Sequence, residues 1–270
     1  MSEAMEAEFG TVAEWTAQVA AELGTDYHVP AGCRGSGSPC ALDWLIDQMG
    51  LAPGHRLLDC GAGVGGPAAY AARARSVVPV LVEPEVGACR AASTLFGHPV
   101  VCADGSALPM VDASFDAAWA LGVLCTTPDQ LAVLEELRRT VRPGGRIGLL
   151  VFVAHRAVPP NLVASNHFPT PSGLSELLKM SSLEVEQQLS TADLPAIPTT
   201  WTERVDAITE ALTDRHGHER AWQLAERQSS RIAQLLDTGT VTGELLVIRH
   251  SGCAQQPWLP SGVDCRDPYS

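Results

Sequence analysis

The sequence predicts an α/β protein with a doubly wound sheet, on three observations. Residues Leu57-Leu58-Asp59-Cys60-Gly61-Ala62-Gly63-Val64-Gly65-Gly66 read as a short apolar strand that ends in an acid and runs straight into a glycine-rich turn. A second apolar run, Val80-Leu81-Val82, closes on Glu83 about one βαβ half-turn later. Finally, 46% apolar residues in a chain of 270 suffice to bury one substantial core with accessory segments, which favours one domain with insertions over two.

Along the chain, Met5, Phe9, Val12, Trp15, Val19 and Leu23 recur at helical spacing, and Gly24 suits the left-handed position that ends such a helix. Residues 26 to 38 are polar and glycine-rich and read as a loop. That loop is either a lid carrying Tyr27, His28 and Arg34 or a solvated linker. Ser38 as N-cap, Pro39 at the first helical position, the apolar Leu42, Leu45, Ile46 and Met49, and Gly50 as terminator predict a helix over 39–49. At the turn that follows, only glycine lets the backbone bend sharply and meet a ligand without a Cβ in the way, so Gly61, Gly63 and Gly65 imply a small molecule. Gly61, Gly63 and Gly66 also satisfy the G-x-G-x-x-G pattern of dinucleotide sites, so the glycines alone leave two ligand classes open.

Asp59, two residues before the first glycine, adds the missing information. The pattern apolar-apolar-Asp-x-Gly-x-Gly-x-Gly resembles motif I of class I S-adenosylmethionine (SAM) methyltransferases. Further segments agree with it over residues 52 to 153: Glu83 at its strand end, Val100 to Pro109 as third strand and loop, Ser114 to Leu121 as fourth strand, and Leu137 to Arg142 with Pro143-Gly144-Gly145 as the helix and turn into strand five. The resemblance implies a Rossmann-like, seven-stranded, mostly parallel sheet with an antiparallel last strand, an N-terminal helical lid and an inserted helical cap. It implies SAM as cofactor, with Gly61, Gly63 and Gly65 at the methionine end, Glu83 on the ribose, Pro84 near the adenine, Asp104 and Ser106 at the adenine edge, and Leu121 contributing backbone. Asp59 either ties the turn together by accepting backbone N–H bonds or lies near the SAM amino group. The continuation Gly65-Gly66-Pro67-Ala68 is similar to the ubiquinone/menaquinone and sterol or prenyl C-methyltransferase branch, and natural-product O- and N-methyltransferases fit equally well.

Past Phe152, Ala154 to Asn161 read as loop, Asn166 to Pro171 lead into a short helix near Leu174 to Met180, and Leu183, Val185 and Leu189 mark strand six. Two helical patterns, Val205-Ile208-Leu212 and Trp222-Leu224-Ile232-Leu235, then fill a stretch too long for an ordinary loop, before Leu245-Leu246-Val247-Ile248 forms a last strand. The organisation is therefore a lid segment over 1–50, a SAM-binding core over 51–189, a cap over 190–240, a last core strand over 241–250 and an irregular tail over 251–270.

A formal net charge of -13 opposes nucleic-acid binding, which needs clustered Lys and Arg. No apolar run reaches the roughly 18 residues of a membrane span, and the acidic Met1-Ser2-Glu3 start is unlike a signal peptide, which points to the cytoplasm. The eight cysteines show no zinc spacing and read as mostly reduced. Of these, Cys60, Cys89 and Cys102 fall on core elements, and Cys125 on the loop that faces substrate in this fold. No acidic pair suits a magnesium site, so no metal is predicted.

The function these readings predict is methyl transfer from SAM to a small, natural-product-like acceptor of secondary metabolism, releasing S-adenosylhomocysteine. Such a displacement needs the acceptor held at about 3 Å and aligned. A hydroxyl acceptor also needs a base, for which His167 and His155, after strand five, and Tyr27, in the lid, are the candidates. His216 and His218 fall in a polar turn and read as solvated. Two alternatives stand beside this reading: another reaction on the same fold, such as cyclisation, and a non-catalytic partner protein. A homodimer is left open.

Overall fold

A computed structural model of the chain describes residues 3–158 and 166–250. Helices α1 (Glu3–Leu23), α2 (Thr25–Gly32) and α3 (Pro39–Gln48) precede the sheet. Alternation then sets in with β1 (Arg56–Cys60), α4 (Gly66–Arg75), β2 (Val78–Glu83), α5 (Val86–Phe96) and β3 (Val100–Cys102). The second half holds β4 (Phe115–Leu121), α6 (Gln130–Thr140), β5 (Val141–Ala154), α7 (Pro171–Met180), β6 (Leu183–Ser190), α8 (Thr199–His216), α9 (Arg220–Asp237) and β7 (Val241–His250). Seven strands form one sheet in the order β3-β2-β1-β4-β5-β7-β6, with β7 antiparallel to both of its neighbours. The order reverses at β1, and the carboxyl ends of β1, β2 and β4 open a crevice there, as in other doubly wound sheets.

The central strands are apolar on both faces because helices cover both. Leu57 packs with Trp119, Leu150, Leu245 and residues of α3 and α4, whereas Leu58 and Cys60 face the opposite cluster with Ala118, Leu149, Leu246 and residues of α6 and α7. The predicted start of α3 is present: the Ser38 hydroxyl accepts from the Ala41 amide at 3.3 Å, and Pro39 opens the helix.

Four readings of the sequence are corrected. Residues 26 to 38 are not all loop, since α2 runs through Gly32 in spite of Pro30. Its helicity comes from packing, not composition: Val29, Pro30, Ala31 and Gly32 are buried, and a Cβ on Gly66 would lie 2.3 Å from the Gly32 carbonyl carbon, so α2 docks backbone to backbone on the start of α4. Pro143-Gly144-Gly145 lies inside β5, but the register with β4 passes from Val141 to Arg146 between Phe115 and Ala117, so these residues are unpaired with β4 and the proline is tolerated. His216 is not solvated, because its ring stacks on Trp15 with centroids 3.9 Å apart and docks α8 on α1. Cys102, assigned to the core, is exposed at the end of β3.

Cys33, Cys60, Cys89, Cys102 and Cys125 are free thiols and Cys40 is disulfide-bonded. No helix of the described residues is long and apolar enough to cross a membrane. The predicted loop over 159–161 and the tail over 251–270 lie outside the described residues.

Candidate active site

The glycine turn is built from backbone. The Gly61 and Ala62 amides both donate to the Val82 carbonyl, at 2.8 and 3.1 Å, folding the chain over the end of β2, and the Gly65 amide closes the turn on the Ala62 carbonyl at 2.8 Å. All three glycines have positive φ, for different purposes. A Cβ on Gly61 would fall 2.4 Å from Val123 Cγ2 and one on Gly65 would fall 2.7 Å from Leu81 Cδ2, while nothing lies within 4 Å of the corresponding point on Gly63. Gly61 and Gly65 thus permit close packing, and Gly63 presents its backbone to open space.

Two buried carboxylates flank that space. Asp59, at the end of β1, is the register partner of Trp119 on β4 and is 2% exposed. Burial pushes its pKa up to about 7; the Trp119 indole and the Ala68 amide pull it down, and the Glu83 charge raises it further. Asp59 Oδ2 and Trp119 Nε1 both nonetheless lack a partner at hydrogen-bonding geometry. Attraction without a formed bond leaves a buried oxygen that a ligand donor would satisfy. Glu83, 5% exposed, accepts the Gly63 amide at 2.8 Å on Oε2 and the Glu85 amide at 3.1 Å on Oε1. Its pKa is raised by burial, against the pull of those two amides. The carboxylate that the resemblance assigns to the ribose therefore also holds the glycine turn in place.

Beyond β3, Asp104 Oδ1 accepts from the Ser106 amide at 2.7 Å and the Ser106 hydroxyl at 2.6 Å, which fixes the loop as an Asx turn. Pro84 is exposed at the end of β2. Leu121 is buried at the end of β4, and Gly122, at φ 78°, donates its amide to the Leu150 carbonyl at 2.9 Å. The Gly35 carbonyl lies 3.1 Å from where a Cβ on Gly122 would stand, so the loop after α2 spans from the start of α4 to the exit of β4, across the mouth of the crevice. Arg34, on this loop, sits over the Trp222 ring at 4.9 Å from its centroid, with Nη2 3.3 Å from Glu226 Oε1 of α9. Neither Trp222 nor Glu226 was identifiable as a partner of Arg34 from the sequence, where they are 188 and 192 residues away.

The three candidate bases are not brought together. Tyr27 packs, half-buried, with Val12, Trp15 and Val64 in the cluster that joins α1, α5 and α8. His167 is exposed, and its backbone is tied to the β4 exit: its amide donates to the Cys125 carbonyl at 2.7 Å and its carbonyl accepts from Gln130 Nε2 at 2.5 Å. His155 bonds through Nε2 to the Thr242 hydroxyl at 2.9 Å and lines a surface cavity of about 570 Å³ between α7 and the β6–β7 pair, which includes no residue of the glycine turn. Cys125 is buried, donates to the Gly122 carbonyl at 3.0 Å and is pushed up to about 12 by burial, which suits a structural thiol.

Residues 58–149 match the family model described as a methyltransferase domain. The chain is 34% identical over 178 residues to 24-methylenesterol C-methyltransferase 2 of Oryza sativa subsp. japonica, covering 58% of this chain and 49% of that protein. It is 40% identical over 114 residues to 27-O-demethylrifamycin SV methyltransferase of Amycolatopsis mediterranei, covering 40% of this chain and 42% of that protein. The chain thus spans about half or less of the length of these relatives. Among solved structures, the [4+2]-cyclase SpnF superimposes with a TM-score of 0.61 over 78% of this chain and 80% of its own, at 21% identity, a likeness of fold. The sequence match identifies residues 58–149 as similar to a methyltransferase domain, on a sheet that carries the glycine turn at the end of β1.

Proposed function

We propose that this chain is a SAM-dependent methyltransferase that acts on a small-molecule acceptor and releases S-adenosylhomocysteine. The observation that carries the reading is the open Gly63 backbone, held by Glu83 and set beside a buried Asp59 with an unsatisfied oxygen. These groups fit the cofactor. Asp59 Oδ2 would accept from its ammonium group, and each Glu83 oxygen, having a second lone pair, would accept a ribose hydroxyl while keeping its amide bond. Asp104, with Ser106 holding its Oδ1, would meet the adenine amino group, Pro84 would pack near the ring, and Gly61, Gly65 and Leu121 would complete the wall. A dinucleotide would leave Asp59 and Asp104 without a role.

Bound SAM supplies a methyl group already electrophilic on its sulfonium. What remains for the protein is to hold the acceptor in line and exclude water. The loop after α2 and the α8–α9 pair serve that purpose over the crevice. Relatives named for sterol C-methylation and for rifamycin O-methylation support a small, partly apolar acceptor of the natural-product kind. For a hydroxyl acceptor, His167 accepts the proton on an imidazole nitrogen, because of the three candidates its backbone is tied to the β4 exit. His155 and Tyr27 would act only if the acceptor reached their separate positions.

Calorimetric titration with SAM, S-adenosylhomocysteine and NADPH tests the cofactor. Micromolar binding of the first two is expected, and binding of NADPH alone would overturn the reading. Mass spectrometry of candidate acceptors then separates the reactions: a gain of one methyl supports transfer, whereas a product with no gain indicates a ring-forming or other reaction on this fold. For a hydroxyl acceptor, His167→Ala should lower kcat by about 100-fold or more with S-adenosylhomocysteine affinity unchanged.

A further inference from the structure

Cys89 and Cys102 belong to different elements, yet their thiols converge on the carbonyls of two consecutive residues. Cys89, in the first turn of α5, donates to the Glu83 carbonyl at 3.2 Å. Cys102, the last residue of β3, donates to the Pro84 carbonyl at 3.3 Å. Cys102 is also the register partner of Glu83 across β2 and β3, where neighbouring strands stand about 4.8 Å apart. The Cys89 thiol returns to that same strand position, and the two side chains interact. Both sulfurs are free, Cys102 is exposed and Cys89 is partly buried. Methyl transfer uses neither of them, although Glu83 and Pro84 are the residues assigned above to the ribose and the adenine.

We propose that Cys89 and Cys102 form a reversible dithiol–disulfide pair that regulates cofactor binding at the ribose edge. The regulatory half rests on the SAM reading above. In the oxidising direction, the exposed Cys102 thiolate attacks a low-molecular-weight disulfide, forming a mixed disulfide and expelling one small thiol. The Cys89 sulfur then displaces the second small thiol, its proton leaving with that thiol, so two protein thiols are oxidised while one small disulfide is reduced to two thiols. Burial, together with the neighbouring Cys102 and Glu83, pushes the Cys89 thiol up to about 12, which makes it the resolving sulfur and Cys102 the initiating one. Linking the two sulfurs breaks both thiol–carbonyl bonds and ties α5 to β3. Glu85, whose amide holds the Glu83 carboxylate, lies between the Pro84 carbonyl released by Cys102 and the first turn of α5 that carries Cys89.

The test equilibrates the full chain in oxidised and reduced glutathione, maps disulfides by mass spectrometry of non-reduced digests, and titrates S-adenosylhomocysteine into each form. The expected result is a linked Cys89–Cys102 peptide in the oxidised form, with affinity about tenfold weaker and restored by reductant, in the usual range of coupling between sites. Cys102→Ser should bind like the reduced wild type in both buffers. Absence of the linked peptide, or a linked peptide with unchanged affinity, overturns the proposal while leaving the cofactor reading intact. A reduced protein that binds no S-adenosylhomocysteine overturns the cofactor reading, and the regulation with it.

Discussion

The floor of the crevice and its roof are held by opposite means. The floor consists of backbone and buried carboxylates: Gly61 and Ala62 on the Val82 carbonyl, Gly63 on Glu83, and Asp59 against Trp119 by strand register. Every one of these groups is locked by the parallel sheet. The roof instead depends on side chains from α1, the loop after α2, α8 and α9 meeting across long stretches of sequence, as in Trp15 on His216, Arg34 on Trp222 and Glu226, and Arg215 on Glu22 at 2.6 Å. Surface ion pairs and cation–π contacts contribute only about 0.2–1 kcal/mol each. Under the proposed function, a cofactor common to many reactions calls for a fixed floor, whereas an acceptor that must enter and leave calls for a roof of weak, separable contacts.

The sharpest way to break this picture is to compare two glycines of the floor. Gly61→Ala forces a Cβ against Val123 at a positive φ, and overpacking plus left-handed strain should cost about 2–5 kcal/mol in urea unfolding. Gly63→Ala meets no atom within 4 Å. Its stability cost should be only the backbone strain of about 1–2 kcal/mol, with cofactor binding lost all the same. Equal stability losses would show that the two positions do not divide between packing and ligand.

Glu83→Ala is next in size. It removes the acceptor of the Gly63 and Glu85 amides and should weaken SAM binding by about 1.5–3 kcal/mol in calorimetry. Unchanged affinity would take the ribose assignment away from Glu83.

Asp59 gives a pH signature. Its folded pKa of about 7 stands above the ordinary 3.8, so between those values the folded chain keeps a proton that the unfolded chain has released, and stability falls as pH rises through that window. Asp59→Asn has no such dependence. Its Tm advantage over the wild type should therefore grow from about pH 5 to about pH 8, and a difference that stays flat would show that the carboxylate is not desolvated as the floor requires.

The smallest effect is expected at the roof. Arg34→Ala loses one ion pair and one ring contact, so stability should drop by about 1 kcal/mol and S-adenosylhomocysteine affinity should change little, while acceptor KM rises. A large loss of cofactor affinity in this variant would mean that roof and floor are one unit.

Legibility followed the same division. The glycine turn, the acids at the strand ends, the Ser38–Pro39 helix start and the two helices between β6 and β7 were all readable, because each depends on residues within a turn or two of one another. Helix α2 was not, since a Pro- and Gly-bearing stretch becomes helical only when Gly32 has Gly66 to pack against. His216 was misread for a related reason: its polar neighbours suggest solvent, and the partner that buries its ring face is on α1. The candidate bases were found by residue type, and type carries no information on position, so Tyr27, His155 and His167 turn up in three different places.

By itself, the sequence determined the alternation of strands and helices, the turn at Gly61 to Gly65 and the carboxylates that surround it, because backbone conformation and hydrophobic period are local properties. Only the tertiary structure decided that Asp59 faces Trp119, that Arg34 spans to α9 and that the Cys89 and Cys102 thiols meet beside Glu83. Those pairings arise from strand register and helix docking, which bring together residues whose separation along the chain holds no record of their distance in space.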